Sequence, residues 1–264
     1  MAVAFKVLFL AVLQGVAEFL PISSSGHLAL AGRLINLEGM GVRVELVLHV
    51  GTLVALLAYY RQTLFAIARE ALAGRREGWT AIGLLVVGCL PAGLAYVLFD
   101  DAIEAAFEGS AMAIGVFLMV TGLLLLSLRL RKGDGDGKIT WGRALAIGAA
   151  QAFALLPGVS RSGSTIVCAR HLGVSPKNAA DYSFLVSLPL LLGATLLSVV
   201  HPAEPVAGEP GWGLLVPAAC VSAVVGYFAI RLLMRVIAGP KFWYFGFYCL
   251  AAGLLTVCLS CLPQ

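Results

Sequence analysis

Gln14-Gly15-Val16-Ala17-Glu18-Phe19-Leu20-Pro21-Ile22-Ser23-Ser24-Ser25-Gly26-His27-Leu28 is written again as Gln151-Ala152-Phe153-Ala154-Leu155-Leu156-Pro157-Gly158-Val159-Ser160-Arg161-Ser162-Gly163-Ser164-Thr165. A constant step of 137 residues carries Gln14 onto Gln151, Ser23 onto Ser160, Ser25 onto Ser162 and Gly26 onto Gly163, without a gap. Both copies are polar, loop-forming strings set in an otherwise oily chain. The first carries Glu18 and His27, and the second carries Arg161. Together they supply an acid/base pair, hydroxyls and a permanent cation, a set suited to chemistry on a phosphate ester or anhydride.

The surrounding composition places these strings in a membrane. Of 264 residues 60% are hydrophobic and 12% charged, against about 45–50% and 25% in soluble domains. A soluble core of this length does not need so much apolar surface, so the chain reads as a polytopic membrane protein. The net charge of +4 is not a nucleic-acid signal, because the basic residues lie in loops between apolar runs, where they report topology. Cys89, Cys168, Cys220, Cys249, Cys258 and Cys261 all fall in apolar stretches and read as small buried hydrophobes. Cys258-x-x-Cys261 has a redox spacing but no basic neighbours to activate it. Lys6 before a short apolar run imitates a signal peptide. No small-residue cleavage site follows, and cleavage would remove residues whose twins survive in the second half.

Apolar runs long enough to span a bilayer lie at 44–60, 79–99, 111–128, 181–200, 212–230 and 242–262. Arg61, Arg69, Arg75 and Arg76 fall in 61–78; Arg129, Arg131, Lys132, Lys138 and Arg143 in 129–143; Arg231, Arg235 and Lys241 in 231–241. The alternate loops carry Asp100, Asp101, Glu104 and Glu108, or Glu204 and Glu209. The positive-inside rule makes the three basic loops cytoplasmic. Residues 5–36 and 144–173 hold the motifs and are too interrupted by Pro, Gly and Ser for one clean span. The second begins and ends beside basic loops, as a re-entrant hairpin does. Such backbone survives at membrane depth only when buried or lining a wet cavity.

The expected fold is therefore an all-α polytopic membrane protein with an inverted-topology repeat. Each half is a re-entrant helix hairpin plus three transmembrane helices, in a single membrane domain over 1–264. Repeat 1 covers 1–132 and repeat 2 covers 138–264. Three spans per half is an odd number, so the second half inserts upside down, the hairpin tips meet, and both termini face away from the cytoplasm. Gly133-Asp134-Gly135-Asp136-Gly137-Lys138 has part of a calcium-loop pattern but lacks its downstream glutamate, and reads as a flexible cytoplasmic linker.

Four residue types carry the expected chemistry. Glu18 is an ionisable group inside a membrane segment, which marks function, and Gln14 lies one turn before it on the same face. His27 follows the serine triplet and suits proton transfer. His49 lies within a span, where it can line a cavity; His171 and His201 read as interfacial. Arg161 has a planar fork suited to phosphate, and the alternative partner for it is Glu18 in a structural salt bridge. If a half-helix opens near Ser164, its free amides also face an anion. The loop is not a Walker loop, since no Gly-Lys-Ser/Thr ending follows. A lipid carrying a diphosphate head group could reach such a site sideways from the bilayer.

The strings Gln14-x-x-x-Glu18, Pro21-Ile22-Ser23-Ser24-Ser25-Gly26-His27 and Pro157-Gly158-Val159-Ser160-Arg161-Ser162-Gly163-Ser164-Thr165 resemble the two signatures of the undecaprenyl-diphosphate phosphatase family, also called the bacitracin-resistance protein family. The resemblance extends over the whole chain. It implies a phosphoanhydride hydrolase of the bacterial plasma (inner) membrane. Such an enzyme converts undecaprenyl diphosphate to the monophosphate and inorganic phosphate, recycles the carrier lipid for peptidoglycan synthesis and confers bacitracin resistance. It implies Glu18, Ser24, His27 and Arg161 as catalytic residues, and Ser23, Ser25, Ser160, Ser162 and Thr165 as substrate-binding ones. A divalent cation, Mg²⁺ or Ca²⁺, would sit on Glu18 with Gln14, a position that is Glu in some members. The attacking group stays open: a serine, Ser24 by preference, with Glu18 or His27 as base, or water with His27 as base.

The other membrane lipid-phosphatase class needs a histidine six residues after the arginine, and Val167 stands there. The competing reading is a transporter or flippase of an anionic lipid, because inverted repeats with re-entrant tips are transporter features. Small residues at Gly115, Gly122 and Gly226 allow close helix packing, within the chain or between copies in a homodimer.

Overall fold

The computed structural model describes residues 2–35, 42–107, 110–131, 137–200, 210–237, 239 and 241–261. Lys132, most of the 133–138 linker, Glu108, His201, Glu204 and Glu209 lie outside the described residues. The described residues are mostly helical: α1 (Ala2–Ala17), α2 (Ser24–Leu34), α3 (Val42–Leu72), α4 (Arg76–Phe107), α5 (Ala111–Ser127), α6 (Trp141–Phe153), α7 (Arg161–His171), α8 (Pro176–Val200), α9 (Trp212–Val236) and α10 (Phe245–Ser260). Among the described residues the sole β feature is a single bridge between Gly137 and Val174. Six segments, carried by α3, α4, α5, α8, α9 and α10, are long and apolar enough to cross a membrane. The eleven residues of α2 and of α7 rise only about 16 Å each, roughly half of a hydrocarbon core.

Two stretches read from sequence as basic loops are largely helical. The span expected at 44–60 is the first half of α3, which continues through Arg61 and Arg69 to Leu72. Gln, Arg, Ala and Glu are good helix formers, so nothing stops the helix before Gly74. There φ reaches 70° and the Arg75 amide closes on the Glu70 carbonyl at 2.9 Å. Likewise α9 runs past 230 to Val236. The apolar run marks the oily part of a helix, while its ends are set by capping and turn chemistry.

The two motif strings fold alike. The step of 137 residues lays Ser24–Leu34 of α2 onto Arg161–His171 of α7 residue for residue. Ser23 and Ser160 are the N-caps, accepting from the amides of Gly26 at 3.3 Å and Gly163 at 3.1 Å. A serine oxygen there satisfies one of the helix's free amides.

Helix packing fixes relative directions. Gly115 lies against the Gly253 carbonyl and Gly122 against that of Gly246. Rising numbers in α5 meet falling numbers in α10, so the two run antiparallel with their backbones in contact. These glycines and Gly226, which lies against the Phe19 ring and Ala55, are thus used inside the chain. A Cβ on Gly122 would meet the Gly246 carbonyl at 2.8 Å and Leu250 Cγ at 2.7 Å. Gly122→Val should therefore cost about 1–3 kcal/mol through overpacking, read as a lower melting temperature in detergent. An unchanged melt would refute the close crossing. Elsewhere α6 packs on α4 and α1 on α9, so each motif hairpin leans on a long helix of the opposite half.

Candidate active site

The two loops between the short helices meet. The Cβ position of Gly26 is 3.0 Å from Gly158 Cα, and Ser162 Oγ donates to the Leu20 carbonyl at 3.2 Å. Between them Arg161 of the second loop forms a salt bridge with Glu18 of the first. Glu18 is 7% exposed. Besides Arg161, its carboxylate accepts from Ser24 Oγ at 2.7 Å and from Gln14 Nε2 at 3.2 Å. A buried carboxylate requires such pairing, because an isolated charge would cost several kcal/mol.

Each loop is held from outside. Phe19 is fully buried and edge-on to Phe184, with ring centroids 5.7 Å apart. That anchor keeps the adjacent Glu18 from turning to solvent. In the second loop Thr121 of α5 donates to the Gly158 carbonyl at 3.0 Å and accepts from the Ser160 amide at 2.9 Å. Gly158 takes φ 98° with the Ile114 carbonyl 2.7 Å from where a Cβ would stand, so only glycine fits there. Ser23 has φ 69°, and among the described residues no other non-glycine residue has positive φ. Strain of this kind costs on the order of 1–3 kcal/mol and concentrates at functional loops.

A cavity of about 380 Å³ opens over the Glu18–Arg161 pair, lined on this side by Ser23, Ser24, Ser25, His49, Ser160 and Arg161. That volume is typical of small-ligand sites. The N-termini of α2 and α7 both reach it, adding two helix dipoles of the sign that favours an anion. Arg161 Nη1 is buried without a partner. One terminal nitrogen of the guanidinium is thus committed to Glu18 while the other has unused donors. Gln14 Oε1 is likewise a buried acceptor with no partner.

Not every residue expected at the site reaches the cavity. His27 lies outside the lining. Its Nδ1 donates to the Ser23 carbonyl at 2.8 Å, and Nε2 accepts from Tyr248 at 2.7 Å, the two rings stacked. It braces the strained Ser23. Ser162 points at Leu20, and Thr165 is buried with its hydroxyl 2.8 Å from the Arg161 carbonyl and 2.5 Å from Ser183 Oγ. His49 does line the cavity, with Nε2 3.7 Å from Glu18 Oε2. Its Nδ1 is 2.9 Å from the Glu45 carbonyl. A carbonyl only accepts, so Nδ1 carries a proton and Nε2 is the ring nitrogen turned toward Glu18. Sequence reasoning passed over Thr121, Tyr248 and Glu45. The last had a signal, since Glu45 and His49 are four apart and share a helix face.

Residues 7–255 match the family described as bacitracin resistance protein BacA. The chain belongs to that family. A relative from Rhodopirellula baltica named undecaprenyl-diphosphatase is 39% identical over 261 residues, 97% of each chain. One from Bacillus licheniformis, undecaprenyl-diphosphatase 1, is 38% identical over 267 residues, 96% of each. A relative from Methanosphaera stadtmanae named undecaprenyl-diphosphatase is 34% identical over 275 residues, again 96% of each.

A divalent cation would find few protein ligands. Among the described residues no group of three or more His, Cys, Asp and Glu could hold a metal ion. The donors that line the cavity are the Glu18 carboxylate and His49 Nε2, while Gln14, expected as a ligand, is fully buried behind Glu18 and outside the lining. A single carboxylate suits Mg²⁺ bound chiefly by phosphate oxygens, since that ion commonly takes one or two protein oxygens and completes its shell from substrate and water.

Proposed function

We propose that this protein hydrolyses undecaprenyl diphosphate to undecaprenyl phosphate and inorganic phosphate. It thereby returns carrier lipid to cell-wall synthesis and confers bacitracin resistance. The observation that carries the reading is the meeting of Arg161 from one loop with the Ser24–Glu18 pair from the other at one cavity. The names of the relatives support it.

In the proposed reaction the terminal phosphate lies between the two helix N-termini, with Arg161 Nη1, Ser160, Ser23 and Ser25 as ligands. Phosphoryl transfer needs little covalent help from the protein, so positioning and charge neutralisation do most of the work. Ser24 Oγ passes its proton to Glu18 and attacks the terminal phosphorus. The bond to the bridging oxygen breaks, and its electron pair leaves with the lipid monophosphate. Water then displaces Ser24 from phosphorus, its proton going to His49 Nε2 while Glu18 returns its proton to the departing Ser24 Oγ, and inorganic phosphate is released. A divalent cation on Glu18, when bound, neutralises charge on the diphosphate.

The same reading makes residues 1–132 and 138–264 an inverted pair with re-entrant hairpins in the inner membrane. Supporting it, α5 and α10 are repeat twins and run antiparallel, and the α1–α9 and α6–α4 pairs exchange across the halves. The cavity lies beside the start of α3 and the far ends of α4 and α8. The basic residues Arg69, Arg75 and Arg76 lie at the other ends of α3 and α4. On this reading the positive-inside rule supports a site that opens outward and termini that are non-cytoplasmic.

The test is phosphate release from undecaprenyl diphosphate in detergent, with and without Mg²⁺ or Ca²⁺. Release is expected. No release by well-folded protein under any of these conditions would overturn the reading and turn attention to lipid transport.

A further inference from the structure

The headgroup cavity has a second, apolar arm that the chemistry above does not use. Helices α4 and α8 run parallel and are tied together in their first halves. Tyr182 donates to the Leu84 carbonyl at 2.6 Å, and Cys89 Sγ to the Val186 carbonyl at 3.2 Å. Just beyond these ties each helix contains a proline, Pro91 in α4 and Pro189 in α8. The ties pair residues 97 or 98 positions apart, so the two prolines stand at one level. Proline removes a helical hydrogen bond and bends its helix. Each helix therefore lacks one internal hydrogen bond at this common level while staying helical through it. Above that level a Cβ added at Gly93 or at Gly193 would meet nothing within 4 Å. Farther along, α4 departs from helical geometry at Phe99, φ −134°.

The cavity extends into this cleft. Tyr96 and Ile103 line it from α4, and Leu191, Ala194, Thr195 and Ser198 from α8. The four α8 residues are spaced as one helix face. Two of them look polar but are not available as headgroup ligands. Thr195 donates to the Leu191 carbonyl at 2.8 Å and Ser198 to that of Ala194 at 2.9 Å. Outside the cleft the flanking side chains are large and apolar, with Val97 72% and Leu196 63% exposed. The cleft thus continues from the Arg161 site toward the exposed apolar side chains of α4 and α8.

We propose that the prenyl chain of the substrate leaves the headgroup site sideways through this cleft, between α4 and α8 above Pro91 and Pro189, and that the face carrying Leu191 and Ala194 guides it. The proposal rests on the reading of the cavity as a prenyl-diphosphate site. A cavity of about 380 Å³ holds a diphosphate and the first part of a chain. A long prenyl tail must continue into the bilayer, and this arm is continuous with the headgroup site and apolar.

The test compares undecaprenyl diphosphate with farnesyl diphosphate on Ala194→Trp and on Leu196→Trp, a control on the lipid-facing side of the same helix. Ala194 is exposed and borders open space, so the larger side chain has room. We expect Ala194→Trp to raise KM for the long substrate by roughly tenfold or more. The short substrate should change much less, and Leu196→Trp should affect neither. Equal effects on both substrates, or none on either, overturn the cleft as the tail path while leaving the phosphatase reading intact. A second readout works without turnover: a photoreactive benzoylphenylalanine in place of Ala194 or of Leu196, irradiated with labelled undecaprenyl diphosphate. Adducts at 194 that excess unlabelled diphosphate competes away support the path, even if hydrolysis fails. Labelling at 196 alone, or an adduct to a second copy of this chain at 194, overturns it.

Discussion

Arg161→Ala is expected to lower kcat/KM for phosphate release by roughly 10³-fold, about 4 kcal/mol of transition-state stabilisation. The guanidinium has two separable roles. Its Nη2 neutralises Glu18, and its buried Nη1 has no partner in the protein. Truncation removes both, and leaving a buried carboxylate unpaired costs about 3–5 kcal/mol of stability. The variant should therefore also melt earlier. A second substitution separates the two effects. With Glu18→Gln added, no orphaned charge remains, so the melting temperature should recover toward wild type while activity stays lost. Arg161→Lys keeps the charge but replaces a planar fork with a point donor. It should hold Glu18 or the phosphate but not both, losing on the order of 10–10²-fold. Melting is followed by detergent-phase thermal shift and activity by phosphate release. A folded Arg161→Ala that retains wild-type rates would remove Arg161 from the phosphate site and leave it a structural partner of Glu18.

What the sequence made legible follows from how local each signal is. The helical class and the six long apolar segments could be read because oily runs of that length have few alternatives. The start of the second short helix was expected near Ser164, but α7 opens at Arg161 with Ser160 as its cap, because a serine oxygen takes the first free amide that the turn offers. The pairing of Glu18 with Arg161 appeared among the alternatives, since two costly charges at membrane depth need each other. The role of His27 was less accessible. Its Nε2 partner, Tyr248, is 221 residues away, and no local pattern tells whether an imidazole faces a cavity or an aromatic ring. Thr121 presents the same difficulty: one threonine in an apolar helix clamps a loop that begins dozens of residues later. His49 was placed in a span, but its approach to Glu18 depends on how α3 rotates against the first loop. The cleft at Pro91 and Pro189 is a matter of register between helices nearly a hundred residues apart. The sequence shows two prolines, and only the packing puts them at one height.

The second large effect concerns Ser24. Its hydroxyl lies in the first turn of α2, 2.7 Å from Glu18 Oε2, with His49 Nε2 on the same carboxylate oxygen at 3.7 Å. A hydroxyl held by a carboxylate at a helix N-terminus is arranged to lose its proton as it approaches phosphorus. If Ser24 attacks, Ser24→Ala should lower kcat by roughly 10⁴-fold or more, and Glu18→Gln should fall nearly as far. Because the two act as one unit, the double variant should be little worse than either single one. Wild type quenched in acid after one turnover, with substrate radiolabelled in its terminal phosphate, should carry label on Ser24. The competing chemistry, direct attack by water, predicts differently. Ser24→Ala would then remove one phosphate ligand, raise KM by about tenfold and leave kcat largely intact, and no label would stay with the protein. Glu18→Gln would still be severe, because in either case the carboxylate holds Arg161 in place beside the phosphate. The ratio of the Ser24→Ala and Glu18→Gln effects therefore distinguishes a nucleophile from a ligand at this position. The geometry favours the nucleophile: Arg161, Ser160 and two helix N-termini already offer donors to phosphate, while Ser24 is the hydroxyl whose proton is directed at the base.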